Sequence, residues 1–473
     1  MVVGLSIFVE LLAVAQRELL LFAGIFFLIG AIDEFAIDLS WLWLSLTRRT
    51  TTLVMRTDEL RQRQLSGRAV VMIPAWQEHQ VIGHTIAHAL SAWGQADLRL
   101  YVGCYGNDPL TLAAAAAAAG SDPRVRLVVH AAAGPTNKAD CLNRLYAAMV
   151  QDEHRSGRRA HMVVLHDAED MVDPAALALL DKAIERADFV QLPVLPLPQP
   201  RSRWIGSHYC EEFAEAHGKA MVVRGALGSG IPAAGVGCAF SRDILENMAR
   251  HEGVLGEDGA GPFASGSLTE DYELGLRISA AGGRSRFLRV RGEDGRLVAT
   301  RAYFPDSIET AVKQKARWVH GIALQGWDRL GWTASAGDWW MRLRDRRGPL
   351  GALVLTCGYL LVVLWSISSV LAELGYGSAW KPSGALRLLL WLNVVSFIWR
   401  GALRFAFTAR EYGAAEGLRA VARIPVANVI AIMAGRRAMF AYVRSLAGGA
   451  VLWDKTTHNV HPMMAAAQLE AAR

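Results

Sequence analysis

The stretch Met162-Val163-Val164-Leu165-His166-Asp167-Ala168-Glu169-Asp170 decides the fold. A short apolar run bounded by polar residues predicts a buried strand, and this one ends directly in three carboxylates within four residues. Carboxylates this close repel one another unless a cation lies between them. Hard oxygen donors suit Mg2+ or Mn2+ bridging to a diphosphate, which makes Asp167, Glu169 and Asp170 candidate metal ligands. The alternative is an acidic helix N-terminus favoured by the helix dipole.

Similar short apolar runs recur on either side, at 69–73, 98–103, 126–129 and 189–192, with helical stretches between them. This alternation predicts an α/β domain over residues 65–330, with a mostly parallel sheet covered by helices. The alanine run at 113–119 reads as a helix stopped by Gly120, and no internal repeat is visible.

Farther out the composition changes. The chain of 473 residues is 52% hydrophobic, and the excess lies at its two ends. A spanning helix needs about 20 mostly apolar residues. Residues 5–32, 351–374 and 385–407 supply three such lengths, the last with Arg387, Arg400 and Arg404 near its ends. Residues 33–46 alternate acids with Phe35, Ile37, Leu39, Trp41 and Trp43 and read as an interfacial continuation; burying Asp33, Glu34 and Asp38 would cost about 3 kcal/mol each. The stretch 420–433 is interrupted by Arg423 and Pro425 and is open to interfacial and re-entrant readings. The expected plan is an N-terminal transmembrane anchor and interfacial helix (1–46), the α/β domain (65–330), a transmembrane pair (348–410) and an interfacial or re-entrant segment with a cytosolic tail (411–473).

The net charge of +6 sits largely beside the apolar runs, in Arg48, Arg49, Arg56, Arg61 and Arg63 and again in Arg342, Arg344, Arg346 and Arg347. By the positive-inside rule these segments are cytosolic, which places the α/β domain in the cytosol and the N-terminus outside, and argues for a membrane rather than nucleic acid as the partner. Five cysteines without CxxC spacing imply neither a zinc site nor a disulfide framework, hence a reduced compartment. Glu10 precedes the first arginine, Arg17, so no signal peptide is expected.

Ligands of open parallel sheets bind at the carboxyl ends of the strands. The first such end, Ile73-Pro74-Ala75-Trp76-Gln77-Glu78, presents a rigid turn and an acid suited to a ribose, or simply starts a helix. At the second, Asp108 either accepts from uracil or caps the alanine-rich helix. The third places Lys138 at a helix N-terminus, where a diphosphate is welcome. Downstream, Ser267-Leu268-Thr269-Glu270-Asp271 opens a helix, so its acids are either capping residues or a general base, Asp271. Gln314, Arg317 and Trp318 share one helical face that suits a sugar ring and its phosphate, or a domain contact.

Taken in order, these motifs resemble those of membrane-bound family-2 glycosyltransferases, the class of cellulose and hyaluronan synthases. The resemblance is closer to the NfrB-type (bacteriophage adsorption) glycosyltransferases, carried by Ile73-Pro74-Ala75-Trp76, Gly134-Pro135-Thr136, Lys138-Ala139-Asp140-Cys141-Leu142-Asn143, His166-Asp167-Ala168-Glu169-Asp170, Ala234-Gly235-Val236-Gly237, Ser267-Leu268-Thr269-Glu270-Asp271-Tyr272 and Trp453-Asp454-Lys455-Thr456-Thr457-His458. It implies a GT-A domain, Rossmann-like and mostly parallel, flanked by transmembrane helices in a bacterial inner membrane. It implies a UDP-sugar donor (hexose or N-acetylhexosamine), Mg2+ or Mn2+, and a growing glycan or a lipid as acceptor; a homodimer and an outer-membrane export partner are further expectations. Residue by residue, it implies nucleotide contacts from Pro74, Ala75, Trp76, Glu78, Asp108, Lys138, Asp167, Gln314 and Arg317. Asp167 with Glu169 and Asp170 would hold the metal, Asp271 with Glu270 would form the catalytic pair, and Trp318, Gly235 and Cys238 would meet the acceptor. Two departures stand out: Glu169 replaces the second aspartate of the metal motif, and Lys315 stands where processive enzymes carry Arg or Gln. Relatives of this type often continue into a cyclic di-GMP-binding kind of domain, beyond where this sequence stops at Arg473. Rival readings are a single-addition transferase acting on a lipid phosphate and a catalytically idle membrane scaffold serving phage adsorption.

Overall fold

The computed structural model describes residues 2–50, 52–252, 261–333, 335–376, 380–448 and 460–464; the Trp453 to His458 string and Gly377 lie outside them. In chain order the elements begin with α1 (Val2–Leu46), β1 (Leu53–Met55), α2 (Thr57–Gln62), β2 (Arg68–Pro74), α3 (Ile82–Ala92), β3 (Leu98–Tyr105), α4 (Pro109–Ala119), β4 (Val125–His130), α5 (Lys138–Ser156), β5 (Ala160–Leu165), α6 (Ala176–Ile184) and β6 (Phe189–Gln191). Then come α7 (His208–Glu215), a π-helical turn (Ala216–Ala220), α8 (Met221–Ala226), β7 (Cys238–Ser241), α9 (Arg242–Glu252), α10 (Glu270–Ala280), β8 (Ser285–Phe287) and β9 (Val290–Gly292). The chain continues with α11 (Ile308–Trp318), a second π-helical stretch (Val319–Gln325), α12 (Gly326–Leu330), α13 (Ala336–Arg346), α14 (Gly348–Glu373), α15 (Gly384–Tyr412), α16 (Ala414–Ala422) and α17 (Ile424–Leu446).

Seven strands form one sheet in the order β4-β3-β2-β5-β7-β6-β8, and β1 pairs separately with β9. β2, β3, β4 and β5 are parallel. β2 is buried on both faces, its Val71 and Ile73 in one apolar cluster and Val70 and Met72 in the other, as a sheet covered by helices requires. β7 is the antiparallel member, pairing with β5 and β6 so that Cys238 lies opposite both Leu165 and Gln191. That reversal matters for the site: the loop entering β7 arrives at the same edge as the carboxyl ends of β2 to β6.

Four helices, α1, α14, α15 and α17, are long and apolar enough to cross a membrane. α1 is unbroken through residues 33–46 because its acids are paired rather than bare: Arg344 and Arg347 hold Asp33 and Glu34, Arg400 bonds Glu34 at 3.0 Å, and Asp38 takes Lys219. The interruption expected at Arg423 and Pro425 is the junction of two helices, α16 ending at Ala422 and α17 starting at Ile424. Pro425 sits in the first turn of α17, where a missing N–H is harmless, and the helix runs on to Leu446. Next to its start Arg423 bonds Glu211 at 2.8 Å, and near its other end Tyr442 donates to Asp328 at 2.8 Å. Between them Ile430, Ala434 and Ala438 are buried against α11 and the stretch after it. Along its length α17 therefore lies against the α/β unit.

Candidate active site

The first two strand ends build a neighbouring cluster. The Ala75 N–H donates to the Gly103 carbonyl at 2.8 Å, and Trp76 meets Tyr105 edge-on at 5.2 Å. Gly134 lies so close to the Trp76 indole that a Cβ there would come within 2.6 Å of it. Asn107 brackets Gly134 by accepting from its N–H and donating to its carbonyl, both at 2.8 Å. Asp108 caps α4, accepting from Thr111 N–H at 3.3 Å and from Gln77 N–H at 2.5 Å. The Glu78 N–H donates to Thr111 Oγ1 at 2.9 Å, and the Glu78 side chain is buried. Pro74, Ala75, Trp76, Glu78 and Asp108 do not line the cavity that Lys138 enters, to which the 134–137 loop joins them.

That cavity, of about 280 Å3, is lined by Lys138, Asp167, Glu169, Asp170, Glu270, Asp271, Gln314, Arg317 and Trp318. Lys138 opens α5 behind the Asn137 cap, which accepts from Asp140 N–H at 2.7 Å. Its Nζ reaches Asp167 Oδ1 at 2.6 Å. Burial alone would lower its pKa, but Asp167, Glu270 and Asp271 around it hold the ammonium well above its ordinary value.

Asp170 lines the same cavity with its Oδ2 engaged inside the loop. It is buried, bonds the His166 ring at 2.8 Å and accepts the Asp167 N–H at 3.0 Å. It therefore shapes the loop that presents Asp167. Asp167 and Glu169 remain as oxygen donors, and the Lys138 ammonium resting on Asp167 marks that carboxylate as a seat for positive charge. Among the described residues no cluster of three or more metal-binding side chains is preassembled; as hard oxygen donors, Asp167 and Glu169 are the residues that would hold Mg2+ or Mn2+.

Glu270 and Asp271 occupy the first turn of α10, where the helix dipole favours acids, but their surroundings exceed what capping needs. Thr269 makes no side-chain cap, whereas Tyr272 N–H donates to Asp271 Oδ1 at 2.8 Å. Burial, then the adjacent Asp271, pushes Glu270 up to about 7. Asp271 is raised too, chiefly by burial, with Lys138 opposing. Gly235 has φ +75° and packs on this carboxylate, for a Cβ there would lie 2.2 Å from Asp271 Oδ2. A side chain is excluded on both counts.

Gln314, Arg317 and Trp318 share the cavity face of α11. Gln314 Oε1 and Arg317 Nε are buried without a protein partner, as expected of groups awaiting a polar ligand. Lys315 turns away to Glu212 at 2.5 Å and lies over the Tyr209 ring. Cys238 does not fit an acceptor contact: it is 0% exposed and belongs to the core beneath the cavity, because alternation on β7 points it into the sheet's packed face.

Several contributors were not anticipated. Gln191 clamps the loop before β7, donating to Val236 O at 2.9 Å and accepting from Ala234 N–H at 2.8 Å; a glutamine closing an otherwise apolar strand was the available signal. Tyr272 donates to Asp345 at 2.7 Å, and Asp345 is held by both bonds of Arg224 at 2.9 Å. Phe213, His217, Met221 and Phe304 form the apolar wall, and their spacing at 213, 217 and 221 is a helical stripe readable in sequence only as core.

The sequence profile of the "Glycosyltransferase like family 2" matches residues 67–321. The chain is 33% identical over 462 residues to bacteriophage adsorption protein B of Escherichia coli (strain K12), and equally to bacteriophage N4 adsorption protein B of Escherichia coli O157:H7. The alignment takes in 91% of this chain and 60% of theirs, so the chain spans about three fifths of the length of these relatives. Among solved structures, the mannosyltransferase PcManGT from Pyrobaculum calidifontis, in complex with GDP-Man and Mn2+, is 15% identical with a TM-score of 0.49, covering 89% of this chain and 99% of its own. Glucosyl-3-phosphoglycerate synthase from Mycobacterium tuberculosis, in complex with Mn2+, UDP and phosphoglyceric acid, is 18% identical with a TM-score of 0.38, covering 60% and 88%. The profile covers more than half of a chain whose sheet is mostly parallel and which carries membrane-length helices: the chain belongs to glycosyltransferase family 2.

Proposed function

We propose that this chain is an inverting glycosyltransferase of the bacterial inner membrane, with its α/β unit in the cytosol, that moves a hexose or N-acetylhexosamine from a UDP-sugar onto a growing glycan. The observation that carries the reading is the meeting, in one cavity, of Lys138, Asp167, Glu169, Glu270, Asp271, Gln314, Arg317 and Trp318 from four separate stretches of chain. No core-packing or capping argument requires these charges to share a pocket.

Lys138 and Arg317 supply fixed positive charge for a departing diphosphate. Mg2+ or Mn2+ bound by Asp167 and Glu169 would add Lewis-acid stabilisation of that leaving group. Asp271, with its pKa raised and its orientation set by the Tyr272 N–H and by Gly235, accepts the proton of an acceptor hydroxyl. Trp318 and the apolar wall around it offer a flat face for the acceptor's terminal sugar, and Gln314 offers an acceptor for one of its hydroxyls. The Trp76, Tyr105 and Asp108 cluster next to Lys138 is where the nucleoside belongs.

The test is release of UDP by the purified full chain from a panel of UDP-sugars with Mg2+ or Mn2+, together with the length of the product. Release with one or two donors and a polymeric product is expected. No release from any donor with either metal overturns the reading, and a product carrying one sugar on a lipid replaces the glycan acceptor with a lipid phosphate.

A further inference from the structure

The cavity has a second wall whose support lies outside the α/β unit. Helices α7 and α8 and the π turn between them form one continuous rod, and Phe213, His217 and Met221 on one side of it line the cavity. The opposite side faces the long helices. Gly218 lies against α15 so closely that a Cβ would come within 2.7 Å of Phe407, and Val223 is buried with Ile37 and Leu44 of α1. Between these two contacts Lys219, 1% exposed, projects into the bundle. It bonds Asp38 of α1, reaches Glu215 at 2.8 Å and stands 3.7 Å from Glu34. Asp38 also accepts from Trp399 Nε1 at 2.9 Å, and Glu215 takes Arg400 at 2.7 Å, both from α15. A lysine with so little water around it is held only by its partners, and π turns recur where helices carry function.

We propose that Lys219, through Asp38, is a positioning residue for the acceptor, fixing the cavity's apolar wall to helices α1 and α15 so that the bundle sets acceptor binding while the donor end is set by the sheet. The inference rests on the transferase reading of the cavity. The donor groups Lys138, Asp167 and Glu169 come from loops of the sheet and Asp271 from α10; Lys138 pairs with Asp167, and Asp271 accepts from the Tyr272 N–H. Lys219 touches neither donor nor acceptor; it acts on Phe213, His217 and Met221 through the rod that bears all four.

The experiment uses the full chain in lipid nanodiscs and reads two quantities: affinity for UDP with Mn2+, and label incorporated from radiolabelled UDP-glucose or UDP-N-acetylglucosamine. In Asp38→Asn, which keeps the shape, and in Lys219→Met, UDP affinity is expected to stay within about twofold while incorporation falls about tenfold or more. Lys219→Arg keeps the charge and restores most of the incorporation. Equal loss of UDP affinity and incorporation in both variants, or loss of neither, overturns the inference. A wild-type chain that binds no UDP and incorporates no label overturns the transferase reading and the inference with it.

Discussion

The two halves of the cavity are made by different means. The charged half hangs from strand ends: Asp167 follows β5, Lys138 follows the loop after β4, and the loop before β7 presses Gly235 on Asp271. Main-chain ladders fix those positions, so the geometry is inherited from a buried sheet. The apolar half is carried by helices with π turns that rest on the long helices and on α17. Charge placement and wall placement are therefore separable, and substitutions in one half should leave the other working.

The largest separation is expected at the base. In Asp271→Asn transfer should fall by about a thousandfold or more, within the range general bases supply, while UDP binding with Mn2+ is kept. Isothermal titration beside a turnover assay measures both. Loss of UDP affinity would instead assign Asp271 to the donor. Gly235→Ala comes next. The added Cβ meets Asp271 Oδ2 and needs a left-handed backbone that costs about 1–2 kcal/mol outside glycine, so a loss of about a hundredfold in kcat is expected from a folded protein, read against its thermal midpoint. Wild-type turnover in Gly235→Ala would show that Asp271 need not be held where it stands.

The contrast between the halves also explains what could be read from sequence. Strands β2 to β6 announce themselves as short apolar runs, and the loops at their ends carry residues with few structural excuses, such as the acids after Leu165. β7 escaped notice because Cys238-Ala239-Phe240-Ser241 is four residues long and buried on both sides, with no alternation to mark it. Spacing alone cannot reveal that His166 would bond the carboxylate of Asp170, four residues later. The apolar wall was invisible for another reason. Phe213, His217 and Met221 are a stripe like any core helix, and only the tertiary arrangement leaves one side of it facing a cavity. The paired acids of α1 were legible as costly, but their partners lie 181 to 366 residues away in sequence.

A pH profile sharpens the same comparison at intermediate size. Burial raises both Glu270 and Asp271, the former to about 7. Asp271 must be ionised to take a proton, so activity should be full above its raised pKa and fall about tenfold per unit below it, starting at a higher pH than for an ordinary carboxylate. An ordinary carboxylate would hold its rate down to about pH 4. Profiles of kcat/KM in saturating Mn2+ measure this, and a flat profile between pH 5 and 8 would remove the raised carboxylates from the rate-limiting proton transfer.

The smallest effect should come from Lys315, the residue that departs from the processive pattern. Its neighbours Gln314, Arg317 and Trp318 face the cavity, whereas Lys315 points to Glu212 and covers Tyr209, whose ring packs behind Trp318 at 6.0 Å. Glu212 is half-exposed, and ion pairs of that kind contribute about 0–1 kcal/mol. Lys315→Gln should therefore raise the acceptor KM by about threefold at most, through a looser Trp318, and leave kcat and UDP affinity alone. A fall in kcat beyond about tenfold would mean that Lys315 reaches the reacting groups during turnover, and that the wall moves far enough to turn its side of α11 toward the cavity.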